Sequence, residues 1–142
     1  MPATTTYLLD TNVISRIMKD GLGQDAQRYR ARLLSEPDCN VVTSIIVQCE
    51  LLFGLARRPS QRLQAAYERQ MEQLPVLPLE DSVSSHYAKL RTHLEQAGTP
   101  IGANDTLIAA HALSLGATLV TADAKFSRVP GLSVENWLQA IP

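Results

Sequence analysis

Cysteine is scarce in these 142 residues: there are only Cys39 and Cys49, in neither a CxxC pair nor a zinc-type spacing. That argues against a disulfide framework or a thiolate metal site and predicts reduced, buried thiols in a cytoplasmic protein. An excess of charge is missing too. Thirteen Lys and Arg stand against 14 Asp and Glu, for a net charge of −1. Any nucleic-acid binding must therefore rest on local basic groups. No apolar run is long enough to span a bilayer. Met1–Asp10 has no basic leader region, so neither a membrane anchor nor a secretory signal is expected. Linkers, low-complexity tracts and repeats are also absent. So is GxxxxGK[ST], which excludes a P-loop enzyme, while the lack of GxSxG speaks against a nucleophilic hydrolase and no histidine pair has HExxH spacing. His86, His93 and His111 read as ordinary helix-face residues.

What is present is a core-forming composition: 45% hydrophobic and 19% charged. Such a chain predicts one folded domain over residues 1–142. Short β-prone runs alternate with amphipathic segments. Strands are expected at Thr6–Leu9, Cys39–Thr43, around Val76 and Leu77, at Thr118–Val120 and at Leu132–Val134. Helices are expected over Thr11–Lys19, Asp25–Ser35, from the Ser44 cap to about Arg57, Gln61–Leu74, from Asp81 or Ser82 to near Gly98, and Ala103–Leu115. Arg28, Arg30 and Arg32 are placed on the wet side of the second helix. Short strands each followed by a helix imply right-handed crossovers and a parallel sheet covered on both faces. The segment from Ile45 to Ala56 has almost no polar face, so its outer side is expected to meet another protein chain.

Four acids stand where such a fold gathers ligands, at the carboxyl ends of its strands. Asp10 ends the first strand and Asp123 follows the fourth by three residues. Glu50 lies two turns into the helix after strand two, and Asp105 opens the helix after Gly102. Singly, three have plain structural readings: Asp10 as a helix cap, Asp105 as a complement to its helix dipole, Asp123 as a turn residue. Glu50 resists such a reading most, because it sits mid-helix among Cys49, Leu51 and Leu52, where a carboxylate needs a partner. Two carboxylates ~5 Å apart repel by roughly 3 kcal/mol at an effective dielectric of ~20. Their convergence therefore points to a hard divalent cation, of the kind that assists phosphodiester hydrolysis. Asn12, Ser44 and Thr121, with Thr11, are the residue types that orient carboxylates around a metal. Arg57, Arg58, Lys125 and Arg128 are candidate phosphate contacts. A haloacid-dehalogenase phosphatase would need an acid where Asn12 stands, and a receiver domain would need paired acids beside Asp10.

The run Leu8-Leu9-Asp10-Thr11-Asn12-Val13-Ile14-Ser15 resembles the opening of PIN domains. Ser44 through Glu50-Leu51 and Gly54 is similar to their second motif. Pro100-Ile101-Gly102-Ala103-Asn104-Asp105 with Ile108-Ala109-Ala110 is similar to the third. Thr121-Ala122-Asp123 with Phe126, Val129-Pro130-Gly131-Leu132 and Glu135-Asn136-Trp137 is similar to the fourth. In pattern the chain is nearest the VapC toxins of bacterial toxin–antitoxin pairs. The resemblance implies a three-layer α/β/α fold and Mg²⁺- or Mn²⁺-dependent endoribonuclease activity. It further implies inhibition by a VapB-type antitoxin, a homodimer and, as in several relatives, a structured RNA substrate such as a transfer RNA. It makes Asp10, Glu50, Asp105 and Asp123 the catalytic quartet, with Asp10, Asp105 and Asp123 on the metal and Asn12 and Thr121 behind them. The alternative is a non-catalytic PIN-like module that binds partners or RNA. Four intact acids argue against it.

Overall fold

Leu8 and Leu9 are wholly buried, and the strand that holds them lies at the centre of the molecule. In the computed structural model, which describes residues 4–139, five parallel strands form one sheet in the order β3-β2-β1-β4-β5. They are β1 (Thr6–Leu9), β2 (Asn40–Ser44), β3 (Val76–Leu77), β4 (Thr118–Val120) and β5 (Val134–Glu135). The helices are α1 (Thr11–Lys19), α2 (Gln24–Ser35), α3 (Ile45–Arg57), α4 (Gln61–Met71), α5 (Ser82–Gln96) and α6 (Ala103–Leu115), and a 3₁₀ turn spans Ala124–Arg128. The part of the N-terminal reading that falls on residues 1–3 lies outside the described residues.

Handedness assigns the layers. From β1 to β2 to β3 the chain steps one way across the sheet, and from β3 to β4 it steps back. Right-handed crossovers therefore put α1–α4 on one face and α5–α6 on the other. The packing agrees: α1 touches α2, α3 and α4, while α5 lies mainly against α6. The result is the expected three-layer α/β/α architecture.

Local sequence explains the element ends. Ser44 and Ser60 cap α3 and α4 through side-chain oxygens, supplying partners for first-turn N–H groups that have none within the helix. Gly116, with φ +63°, closes α6 in the left-handed conformation. The differences from the sequence reading are at element ends: α4 stops at Met71, three residues before the expected Leu74. β2 and β5 each sit one or two residues later than expected, because register with β1 and β4 decides the pairing. The 3₁₀ turn was not foreseen.

Three side-chain expectations are corrected. Cys49 is exposed and Cys39 half-buried, so neither thiol belongs to the inner core. Arg32 is not simply wet. Its guanidinium lies over the rings of Tyr7 and Trp137, at 5.3 and 5.0 Å, and pairs with Glu135 at 3.0 Å. His111, read as an ordinary helix-face residue, lies on α6 with its ring wholly buried. The apolar α3 divides as a helix must: Val47, Leu51 and Leu55 face inward, while Cys49, Leu52, Phe53 and Ala56 stay exposed.

Candidate active site

Strand order reverses between β1 and β4, and the crevice beyond their carboxyl ends is where a doubly wound sheet collects ligands. Asp10 is the first residue past β1 and is buried. Its backbone N–H donates to the Val120 carbonyl at 2.9 Å, pinning it to the end of β4. Its carboxylate also caps α1: Oδ1 accepts from the Thr11 N–H at 2.8 Å. Oδ2 accepts from the Thr121 hydroxyl at 2.8 Å and from Asn12 Nδ2 at 3.1 Å. The cap reading and the site reading thus hold together for one residue.

From Asp10 a hydrogen-bonded chain reaches all the other acids. On one side, Thr11 Oγ1 donates to Glu50 Oε1 at 2.6 Å, which gives the half-buried carboxylate on α3 a partner. On the other side, Thr121 Oγ1 accepts from the Asp123 N–H at 3.0 Å. Asp123 caps the 3₁₀ turn by accepting from the Lys125 N–H at 3.0 Å. Lys125 Nζ then bridges Asp123 Oδ2, at 3.3 Å, and Asp105 Oδ2, at 2.6 Å. Asp105 is the third residue of α6, started from Gly102, whose φ of +97° suits a residue without a side chain. The order is Glu50, Thr11, Asp10, Thr121, Asp123, Lys125, Asp105. Asn12 braces its centre, its Oδ1 accepting from the Ala122 N–H at 3.0 Å.

Burial dominates the electrostatics. It pushes the Asp10 carboxyl up to about 6, against the hydrogen bonds from Thr121 and Thr11 and with help from the charges of Asp105 and Glu50. Repulsion among the acids is therefore real but secondary. Lys125 is raised above its ordinary value, first by its bond to Asp105. Among the described residues no three acid, His or Cys side chains are drawn around one point as a finished cation cage. The network explains why: threonines and Asn12 hold Asp10 and Glu50, and an ammonium holds Asp105 and Asp123. The donor set still fits a hard cation, since it consists of carboxylate oxygens and two of them already share a positive charge.

Of the other expected site residues, Asn12 and Thr121 touch Asp10. Ser44 does not join the acids. Its hydroxyl caps α3 through the Ile46 N–H at 3.1 Å and shares a 2.8 Å hydrogen bond with His111 Nδ1. Arg57 and Arg58 line a cleft of about 340 Å³ with Thr11, Glu50 and Lys19, which puts a basic rim beside Glu50. Arg57 also stacks on Phe53 at 5.3 Å. Arg128 is exposed and donates to the Pro100 carbonyl at 3.3 Å. Lys125, expected on a phosphate, is committed to two acids. Sequence reasoning missed that bridge. The available signal was its place two residues after Asp123, in the turn that acid caps. Wider clefts of about 570 and 530 Å³ contain none of the four acids, so cleft size does not mark the chemistry here.

Comparison with known proteins matches residues 7–132 to the PIN domain family model. The chain is 35% identical over 134 residues to Ribonuclease VapC2 of Rickettsia felis, covering 92% of this chain and 97% of the relative. It is 30% identical over 134 residues to the tRNA(fMet)-specific endonuclease VapC of Salmonella typhimurium, with the same coverage. Among solved structures, VapBC2 from Rickettsia felis bound to a promoter DNA fragment superposes with a TM-score of 0.83 at 32% identity. That match spans 94% of this chain and 99% of the other.

Proposed function

The chain belongs to the PIN domain family, and from that premise we propose that it is a divalent-metal-dependent endoribonuclease, the VapC-type toxin of a toxin–antitoxin pair. One observation carries this reading: a single hydrogen-bonded chain ties Glu50, Asp10, Asp123 and Asp105 together at the β1/β4 reversal. A binding module has no need to hold four carboxylates in register with threonine and asparagine donors.

Asp10, Asp105 and Asp123 would hold a Mg²⁺ or Mn²⁺ ion. Bound there, the ion supplies positive charge to the phosphate oxygens and favours ionisation of the attacking water. The rest is the work of this chain. Thr121 and Asn12 hold Asp10 Oδ2, and the Thr11 N–H holds Oδ1, so the carboxylate is fixed before any ligand arrives. Glu50 spends Oε1 on Thr11 and keeps Oε2 for the proton that leaves water as the new P–O bond forms, while the ribose oxygen released from the old bond takes its proton from solvent. Arg57 and Arg58, on the rim beside Glu50, fit the flanking phosphates of a bound RNA. The relatives' names support a structured substrate such as a transfer RNA, and the VapBC complexes support a VapB-type antitoxin as partner. The exposed side of α3 fits a protein interface, with a second copy or with the antitoxin. The whole of residues 1–142 acts as one domain, in the cytoplasm.

Purified protein incubated with total RNA and Mg²⁺ or Mn²⁺ tests this. Degradation that EDTA stops, and that Asp10→Asn lacks, supports the reading. Cleavage that is indifferent to chelation, or kept by the Asn variant, removes it.

A further inference from the structure

Lys125 stands where a cation would stand. Its Nζ lies 2.6 Å from Asp105 Oδ2 and 3.3 Å from Asp123 Oδ2, while its backbone N–H donates to Asp123 Oδ1 at 3.0 Å. One residue thus engages both oxygens of Asp123 and reaches across to α6. Its root is fixed: the 3₁₀ turn holds the backbone, and the next residue, Phe126, is wholly buried. A cation on so short a tether faces the two carboxylates at a high effective concentration.

Resting on the metal-dependent reading above, we propose that Lys125 is an internal competitor for the divalent cation: its ammonium bridges Asp105 and Asp123 until a metal ion displaces it, so this side chain sets how much free metal the site requires. Two carboxylates that have closed on an ammonium cannot also give those oxygens to a dication. Holding both cations would place like charges in contact. Displacement is open to the side chain because the pair is not sealed in. Lys125 is 33% exposed, Asp105 23% and Asp123 37%. The freed ammonium enters water instead of being stranded in the core. The bridge also offsets the repulsion between the two carboxylates that share its ammonium. By linkage, the stronger the bridge, the weaker the metal.

Two substitutions separate charge from bulk. Lys125→Met keeps much of the stem and removes the ammonium. Lys125→Arg keeps the charge and offers carboxylates a planar fork. Mn²⁺ binding to the full chain is measured by calorimetry for wild type and both variants. In parallel, wild-type Lys125 is treated with an amine-acylating reagent in EDTA and in Mn²⁺, and its modification is read by peptide mass spectrometry. The Met variant is expected to bind Mn²⁺ roughly five- to tenfold more tightly than wild type, and the Arg variant no more tightly. Lys125 is expected to acylate faster once Mn²⁺ is present. Equal or weaker Mn²⁺ binding by the Met variant, or acylation that Mn²⁺ does not speed, overturns the competition while leaving the metal site standing. Absence of saturable Mn²⁺ binding in all three proteins overturns both.

Discussion

Thr11 holds Glu50: the hydroxyl on the first residue of α1 donates to Oε1 of the α3 glutamate at 2.6 Å, across 39 positions of sequence. The same residue's backbone N–H donates to Asp10, so one threonine aligns two of the four acids. Thr11→Val keeps the shape and deletes the donor. RNA cleavage is expected to fall by about 10- to 100-fold, with stability changed by no more than about 1 kcal/mol. Thr11→Ser should recover most of the activity. Single-turnover cleavage beside thermal melting checks this. A fully active Val variant would show that Glu50 needs no such anchor.

Asp105→Asn should abolish cleavage while leaving the metal-free fold close to wild type in stability. The charge it removes is offset by Lys125, and both side chains are partly solvated, so the pair contributes at most about 1 kcal/mol. Repulsion among the acids taken alone would make the variant equally or more stable. The ammonium shrinks that gain. Mg²⁺ at a hundredfold excess over Kd should stabilise wild type by ~2.7 kcal/mol and the variant by much less. Melting in EDTA and in Mg²⁺ reads both quantities. Equal gains in the two proteins would take Asp105 off the metal.

Acid should act on the fold through His111. Burial lowers this imidazole below its ordinary 6.5, only partly offset by the Pro78 backbone, and Nε2 is buried without a well-formed hydrogen bond. A histidine depressed in the folded state contributes stability above the unfolded value. That contribution is lost as pH falls through 6.5 and then through the folded value. His111→Gln, whose amide can still share a hydrogen bond with Ser44, should therefore lose less melting temperature than wild type between pH 7.5 and 5. Asp10 shifts in the opposite sense, since its raised carboxyl favours the fold at low pH, but it is present in both proteins and cancels. Parallel melting curves across that range would remove His111 from the account.

The outer side of α3 should govern association. Phe53 is 63% exposed and Leu52 43%, whereas Leu55 is buried at 9%. A lysine at Leu55 would damage the core, so the informative change is Phe53→Lys. It is expected to leave the melting temperature of the isolated chain nearly unchanged and to weaken dimer or antitoxin binding. Sedimentation velocity with and without the antitoxin gives the answer. Association at wild-type strength would mean that this face is simply solvated.

Much of this arrangement was legible because it is local. Asp10 ends a strand and caps a helix within three residues, and Ser44 announces α3 on its own. Apolar runs near Leu8 and Leu119 read as strands without knowledge of their neighbours. What stayed hidden depends on parts of the chain far apart in sequence. Nothing near His111 reveals that Ser44, 67 positions away, will meet it. Arg32 looks like surface until β1 and Trp137 close over it. Glu50 was legible in part for the opposite reason: its sequence neighbours offered it no partner, and the distant Thr11 supplies one, although Cys49 and Leu52 beside it are exposed and leave the carboxylate half-buried.

The reversal of strand order between β1 and β4 also gives the site a schedule. Asp10 depends on Thr121, 111 positions onward, and Asn12 on Ala122, 110 onward. A chain emerging from the ribosome can lay β2 and β3 beside β1 early, but Asp10 gains its full set of donors only when β4 slots in on the other side. Up to that moment the nascent polypeptide carries Asp10, Glu50 and Asp105 with no β4 to complete the acidic edge. An RNA-cutting enzyme made on an RNA template by an RNA machine is thus kept unfinished through most of its own translation.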